Sequence, residues 1–134
     1  MATTSSTSTS LITISGQIQA DSFQFSLPVG RFGNVTPVPF ILDTGAYEMT
    51  FNSATASSLN LPNLGAVTIS GVSGGAKAYR SSLSVQIGDR LFRNVKCIVD
   101  PSLPTDNLFG LRFLAFHKLS ILLNTRDQTI TFLN

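Results

Sequence analysis

The sequence is short of the residues that metal and nucleophile chemistries draw on. Its 134 residues include one cysteine, Cys97, and one histidine, His117, and no tryptophan. A single cysteine excludes an intrachain disulfide and any cysteine-rich zinc site. Because Cys97 sits in the apolar run 95–99, it reads as a small buried hydrophobe. A lone histidine leaves no His-based metal centre within one chain, and a Ser-His-Asp arrangement would have to use His117. No metal or other cofactor is expected. Charge is also scarce: only 12% of residues are charged, and the formal net charge is +2. The nine basic residues (Arg31, Lys77, Arg80, Arg90, Arg93, Lys96, Arg112, Lys118 and Arg126) are scattered and form no cluster interleaved with aromatics, so no nucleic-acid partner is expected. No apolar run is long enough to span a membrane. Residues 1–10 contain eight Ser or Thr and no charged side chain, without the basic start and apolar middle of a secretory signal. They read as a flexible tail ahead of one domain over residues 11–134. The cytoplasm is slightly favoured, since an unpaired cysteine is compatible with it.

Strand-forming residues are plentiful. Val, Ile and Thr total 31, whereas Glu and Lys together total four. β-Branched side chains fit pleated sheet and fare poorly in helices, so a long helical bundle is excluded. Residues 11–19 and 23–29 alternate apolar and polar around a turn at Ala20, Asp21 and Ser22, as a hairpin would. Residues 35–42 are nearly all apolar, as in a strand buried on both faces, and Pro37 and Pro39 suggest an edge or an irregular start. A short strand is expected over 47–51, then one or two helical turns over 53–59 with Asn52 or Ser53 as N-cap. Further strands are expected over 66–72, 76–87 and 91–99, then a loop over 100–107. A helix over 111–117 should bury Leu111, Leu114 and Ala115, and a last hairpin should join 119–123 to 129–133. Many short strands with one late helix predict an all-β barrel or sandwich.

Three elements could carry chemistry. In Phe40-Ile41-Leu42-Asp43-Thr44-Gly45-Ala46, an acid ends a buried apolar run and meets a hydroxyl and a glycine at once. Burying a carboxylate is costly unless it is hydrogen-bonded or neutralised. Gly45 permits a tight turn whose N–H groups approach that carboxylate. An ordinary turn in which Asp43 caps its own backbone is the plainer reading. The second element, Ile69, Ser70, Gly71, Val72, Ser73, Gly74 and Gly75, lies between two strands and suits a mobile glycine flap over a cleft. Leu108-Phe109-Gly110-Leu111-Arg112-Phe113-Leu114 is the third: an apolar strand end, a glycine and a short helix.

In that order, the three elements resemble the retropepsin-like aspartic protease family, over nearly the whole chain from Leu11 to the C-terminus. The resemblance implies a closed all-β barrel or sandwich with one short C-terminal helix and a flap hairpin. Residues 53–61 look like a segment of cellular and bacterial members that retroviral enzymes typically lack. By the same resemblance Asp43 is the catalytic aspartate and Thr44 braces the partner's loop. Gly45 offers backbone contacts to carboxylate and substrate, Ala46 lines the cleft, and Phe109 and Gly110 support it. Many retroviral members place an acid directly after Asp-Thr-Gly-Ala, where this chain has Tyr47 and then Glu48. They place an arginine after the late glycine, where this chain has Leu111 and then Arg112. A pair between Arg112 and Glu48 can substitute.

Aspartic proteolysis needs two carboxylates sharing one proton, one activating water and the other donating to the scissile carbonyl. The seven acids of this chain include no second Asp-Thr-Gly or Asp-Ser-Gly. The expectation is therefore a homodimer with Asp43 of each subunit on the two-fold axis, hydrolysing extended polypeptides; the resemblance further implies that the terminal strand 129–133 lies at the dimer interface. An idle fold of the same type, serving dimerisation or peptide binding, is the alternative.

Overall fold

The computed structural model describes residues 9–67 and 77–134. In chain order the elements are β1 (Ser10–Ser15), β2 (Gln17–Gln19), β3 (Ser22–Gly30), β4 (Thr36–Leu42), β5 (Thr50–Phe51), α1 (Ser53–Ser58) and β6 (Ala66–Val67). They continue with β7 (Ala78–Ile87), β8 (Arg90–Val99), β9 (Leu108–Phe109), α2 (Arg112–His117), β10 (Ser120–Asn124) and β11 (Thr129–Leu133). The larger sheet runs β2-β3-β4-β9-β5-β8-β7-β6. An added pairing of β3 with β7, through Val29–Val85 and Gly30–Ser84, closes six of its strands into a ring. The protein is all-β, as its composition predicts.

The expected first hairpin is only half right. The run 11–19 breaks at Gly16: β2 pairs with β3, but β1 leaves to pair with β11 in a separate sheet ordered β1-β11-β10. At the break, the Gly16 N–H donates to the Gln128 carbonyl, and the Ile18 N–H to its side chain. A Cβ at Gly16 would lie 2.4 Å from the Gln24 carbonyl and the Phe23 ring, so only glycine fits there. The alternation of residue types runs on through this break because both sheets share one apolar interior.

β4 alternates between exposed and buried residues along its first half, so it is not buried on both faces. Its parallel partner β9 reaches only Ile41 and Leu42. Pro37 and Pro39, which lack N–H donors, thus lie where β9 offers no ladder.

β11 is the middle strand of its sheet, with Ile130 and Phe132 fully buried. The terminal strand is therefore core, and it is β1 and β10 that present open edges in this sheet. Phe132 joins Phe25, Phe40, Phe51 and Phe109 in an aromatic cluster with neighbouring centroids 5.5–6.2 Å apart. Edge-to-face contacts dominate, the arrangement ring quadrupoles favour.

Helix α2 buries Phe113 and Leu114, while Leu111 and Ala115 are exposed, which corrects the expected face. Phe113 packs between Phe92 and Phe109, and that aromatic contact sets the helix rotation. Helix α1 starts at Asn52, whose side chain accepts the Thr55 N–H at 2.8 Å, the capping bond that Asn at this position favours. The strand expected over 47–51 shrinks to Thr50–Phe51, paired with β8 and β9.

Candidate active site

Asp43 follows the last residue of β4. Its N–H donates to the Phe109 carbonyl at 3.1 Å, so the β4–β9 pairing fixes where the loop begins. Its Oδ1 accepts the Gly45 N–H at 3.0 Å, and its carbonyl accepts the Ala46 N–H at 3.1 Å. The side chain is half-buried, Thr44 and Gly45 are exposed, and Ala46 is half-buried. This is a tight Asp-initiated turn with its carboxylate oriented by backbone. Such a turn serves both readings of the tripeptide: it caps itself, and it holds an acid at a surface where a second copy can approach.

The second strand of support comes from Gly110. The Leu111 N–H donates to the Ala46 carbonyl at 3.1 Å, and the Arg112 N–H to the Tyr47 carbonyl at 2.7 Å. For these bonds to form, the two backbones must almost touch. A Cβ at Gly110 would lie 2.6 Å from both the Tyr47 and the Glu48 carbonyl oxygens, so glycine is required by close approach. Phe109 has a fully buried ring in the aromatic cluster and contributes to the site through its carbonyl.

The Arg112 guanidinium meets the Glu48 carboxylate, with its Nη1 3.1 Å from Oε1 and 2.8 Å from Oε2. The pair anticipated from the sequence thus lies directly behind the loop, with both side chains about one-third exposed. The same guanidinium lies 5.9 Å from the centroid of the Tyr47 ring.

One residue that sequence reasoning passed over, Asn107, holds this region together with the helix cap Asn52. Asn107 is buried at the end of the 100–107 loop. Its Oδ1 accepts the Asn52 N–H at 3.0 Å, while its Nδ2 donates to the Pro39 carbonyl and to Thr55 Oγ1. The Asn52 Nδ2 in turn donates to the Thr105 carbonyl at 2.7 Å. One amide thereby ties β4, α1 and the approach to β9 together. Its only sequence signal is a polar residue at the seam between a proline-rich loop and an apolar strand.

Cys97 is buried and its thiol is pushed up to about 12, first by burial, then by the charge of Glu48, against a hydrogen bond with Ser81. It is an inert core residue. The side chain of His117 stands among the rings of Phe92, Phe113 and Phe116 at 4.6–4.9 Å, and burial followed by the nearby Arg90 charge lowers its pKa from 6.5. Among the described residues, no three His, Cys, Asp or Glu side chains cluster as a metal site. Asp100, a buried acid, is spent within its own turn, accepting from the Ser102 N–H and hydroxyl.

The glycine flap, Ile69 to Gly75, lies outside the described residues. Residues 71–75 also spell Gly-x-Ser-x-Gly, a pattern that serves nucleophilic serines on a strand-to-helix turn. The described elements on either side, β6 and β7, are strands paired with each other.

Comparison with solved structures places the architecture. A retropepsin-like aspartic protease from Rickettsia conorii aligns over 91% of this chain and 89% of its own, with a TM-score of 0.67 at 22% identity. EIAV protease, solved with the inhibitor HBY-793, aligns over 75% of this chain and 91% of its own (TM-score 0.57, 20% identity). The retroviral protease-like domain of Ddi1 from Leishmania major aligns over 81% of this chain and 93% of its own (TM-score 0.56, 17% identity). The fold is retropepsin-like. Among curated proteins, no sequence matches the chain. The family model for gag-polyprotein putative aspartyl protease matches residues 30–115, from the end of β3 into α2, and the chain belongs to that family.

Proposed function

We propose that the protein is an aspartic endopeptidase that acts as a homodimer, with Asp43 of each subunit forming the catalytic dyad. The observation that carries this reading is the placement of Asp43. It is the one Asp-Thr-Gly aspartate in the chain, it directly follows a strand of a retropepsin-like ring, and its carboxylate is oriented by the Gly45 N–H. One such acid per chain is half of a two-carboxylate mechanism. In the dimer, one Asp43 carboxylate takes a proton from water as that water attacks the scissile carbonyl. The other, protonated, donates a hydrogen bond to the carbonyl oxygen. The tetrahedral species then collapses as the leaving nitrogen receives a proton from the dyad. The substrate is an extended polypeptide laid across both subunits as an added strand.

In this assembly Thr44 of each subunit braces the partner's loop, and Gly45 and Ala46 face the peptide backbone. Exposed Tyr47 and Leu111 stand beside the loop, and exposed Leu122 lies on the open β10 strand. Together they supply apolar surface for the second copy. The test pairs two measurements: cleavage of an unbiased peptide library, and sedimentation, each with the wild type and Asp43→Asn. Wild-type cleavage lost in a variant that still dimerises is the expected result. A monomer that cleaves, or cleavage that survives in Asp43→Asn, overturns the reading.

A further inference from the structure

Glu48 and Arg112 also line a cleft of about 540 Å³ on the outer face of the β7–β8 hairpin. Its walls include Glu48, Leu64, Arg80, Lys96, Ile98 and Arg112. Arg80 and Lys96 share one strand face because Arg80 pairs with Ile98, and Ser82 with Lys96. Three cations meet a single carboxylate, and that carboxylate is engaged by Arg112. Arg80 and Lys96 remain. All seven acids of the chain lie among the described residues, and none comes within 4.0 Å of either side chain. The excess of two positive charges here equals the formal net charge of the whole chain. Like charges gathered on one face repel, so their concentration in a concave, part-apolar cleft favours an anionic occupant.

We infer that this cleft is a subsite for an acidic side chain of the substrate polypeptide, an inference that rests on the proposed endopeptidase activity. Reach supports a peptide occupant. Glu48, at the lip of the cleft, is five residues beyond Asp43, and five residues span at most about 18 Å of extended chain. A peptide strand crossing Asp43 is therefore long enough to span to the cleft within about five residues of the cut. Leu64 and Ile98 give the methylenes of a Glu or Asp side chain apolar walls, while Arg80 and Lys96 meet its carboxylate. A nucleic acid is the weaker fit: no aromatic side chain lines the cleft for base stacking, and two unmatched cations do not make a phosphate track.

Matched peptides test it, carrying Glu or Gln at each position within five residues of the cut and differing nowhere else. Cleavage is followed with the wild type, and binding is followed by fluorescence anisotropy with Asp43→Asn. One Glu position should improve binding roughly fivefold at low salt, and the advantage should shrink as salt rises. In the background of Asp43→Asn, the double change Arg80→Gln and Lys96→Gln should abolish that preference in a protein whose melting curve shows it folded. Equal binding of Glu and Gln peptides at every position overturns the inference. So does a preference that survives the double change, or a single-stranded oligonucleotide that binds more tightly than the acidic peptide. Absence of any Asp43-dependent cleavage would sink the protease reading alone, since binding to Asp43→Asn still decides what the cleft holds.

Discussion

At the residue scale, two positions separate chemistry from scaffold. Asp43→Asn keeps an oxygen for the Gly45 N–H and the shape of the turn, but it cannot hold or share a proton. On the proposed dimeric mechanism, peptide cleavage should fall about a hundredfold or more, while the melting temperature stays level or rises as repulsion within the proposed carboxylate pair is relieved. Wild-type kcat/KM in this variant would remove Asp43 from the chemistry. Gly110→Ala acts in the opposite sense. Its methyl group meets two backbone carbonyls at 2.6 Å, and neither can swing away as a side-chain end would. The loop and the 109–112 segment must separate, at a cost of about 1–3 kcal/mol. Urea unfolding should register that loss, and the Arg112–Glu48 pair should loosen with it. Cys97 offers a simpler check. With its thiol buried and pushed up to about 12, alkylation at pH 8 should be negligible in the native protein and rapid once it is unfolded.

At the element scale, helix α2 carries a pH response. The His117 pKa is lowered in the fold by burial and by Arg90, whereas the unfolded chain keeps the ordinary value near 6.5. Above that value both states are neutral and the group adds nothing to the pH dependence. As pH falls through 6.5 the unfolded state takes up its proton first, so stability declines. The decline levels off once pH drops below the lowered native value. The side chain is partly exposed, so the effect is modest. A melting temperature that falls between pH 7.5 and 5, with a shallower slope in His117→Gln, is the expected pattern; an identical slope would show that carboxylates alone set it. The 100–107 loop makes a second element-scale case. Asn107→Ala strands the Asn52 N–H and the Pro39 carbonyl in a buried seam, and a loss of about 2 kcal/mol or more should appear in urea unfolding.

At the scale of the whole molecule, the proposed dimer governs activity. Leu122 is 59% exposed on β10, whose outer edge has no partner strand in this sheet. Leu122→Asp should leave the folded subunit within about 0.5 kcal/mol of wild type, because the site is on the surface. It should also shift sedimentation toward monomer and reduce cleavage in step. An intact, active dimer would move the interface elsewhere. Removing residues 129–134, by contrast, is not a test of assembly, because Ile130 and Phe132 belong to the core and their loss should unfold the subunit. The proposed dyad also predicts a pH profile for cleavage that peaks in acid and falls once both carboxylates ionise; a rate that climbs to an alkaline plateau would point to another mechanism.

Local pattern was enough for much of this protein. β-Branched composition and period-two alternation determine an all-β chain, and Asn52 marks its helix start. Asp43, Thr44 and Gly45 declare a constrained acidic turn at the end of an apolar run. Each of these depends on neighbours in sequence, so one dimension suffices to read it. What the tertiary structure decided depends on partners far along the chain. The break at Gly16 exists because Gln128 and the Phe23 ring stand there, more than a hundred residues away in the first case. The central place of β11 follows from β1 turning away from its own hairpin. Phe113 faces inward on α2 because Phe92 and Phe109 offer it edges and faces to pack on. Asn107 gains its importance from the Asn52 N–H, the Pro39 carbonyl and the Thr55 hydroxyl, which only folding brings within reach. The sequence scatters its basic residues evenly. The pairing of β7 with β8 is what places Arg80 and Lys96 on one face beside Arg112, because strand register, unlike sequence spacing, determines which side chains share a surface.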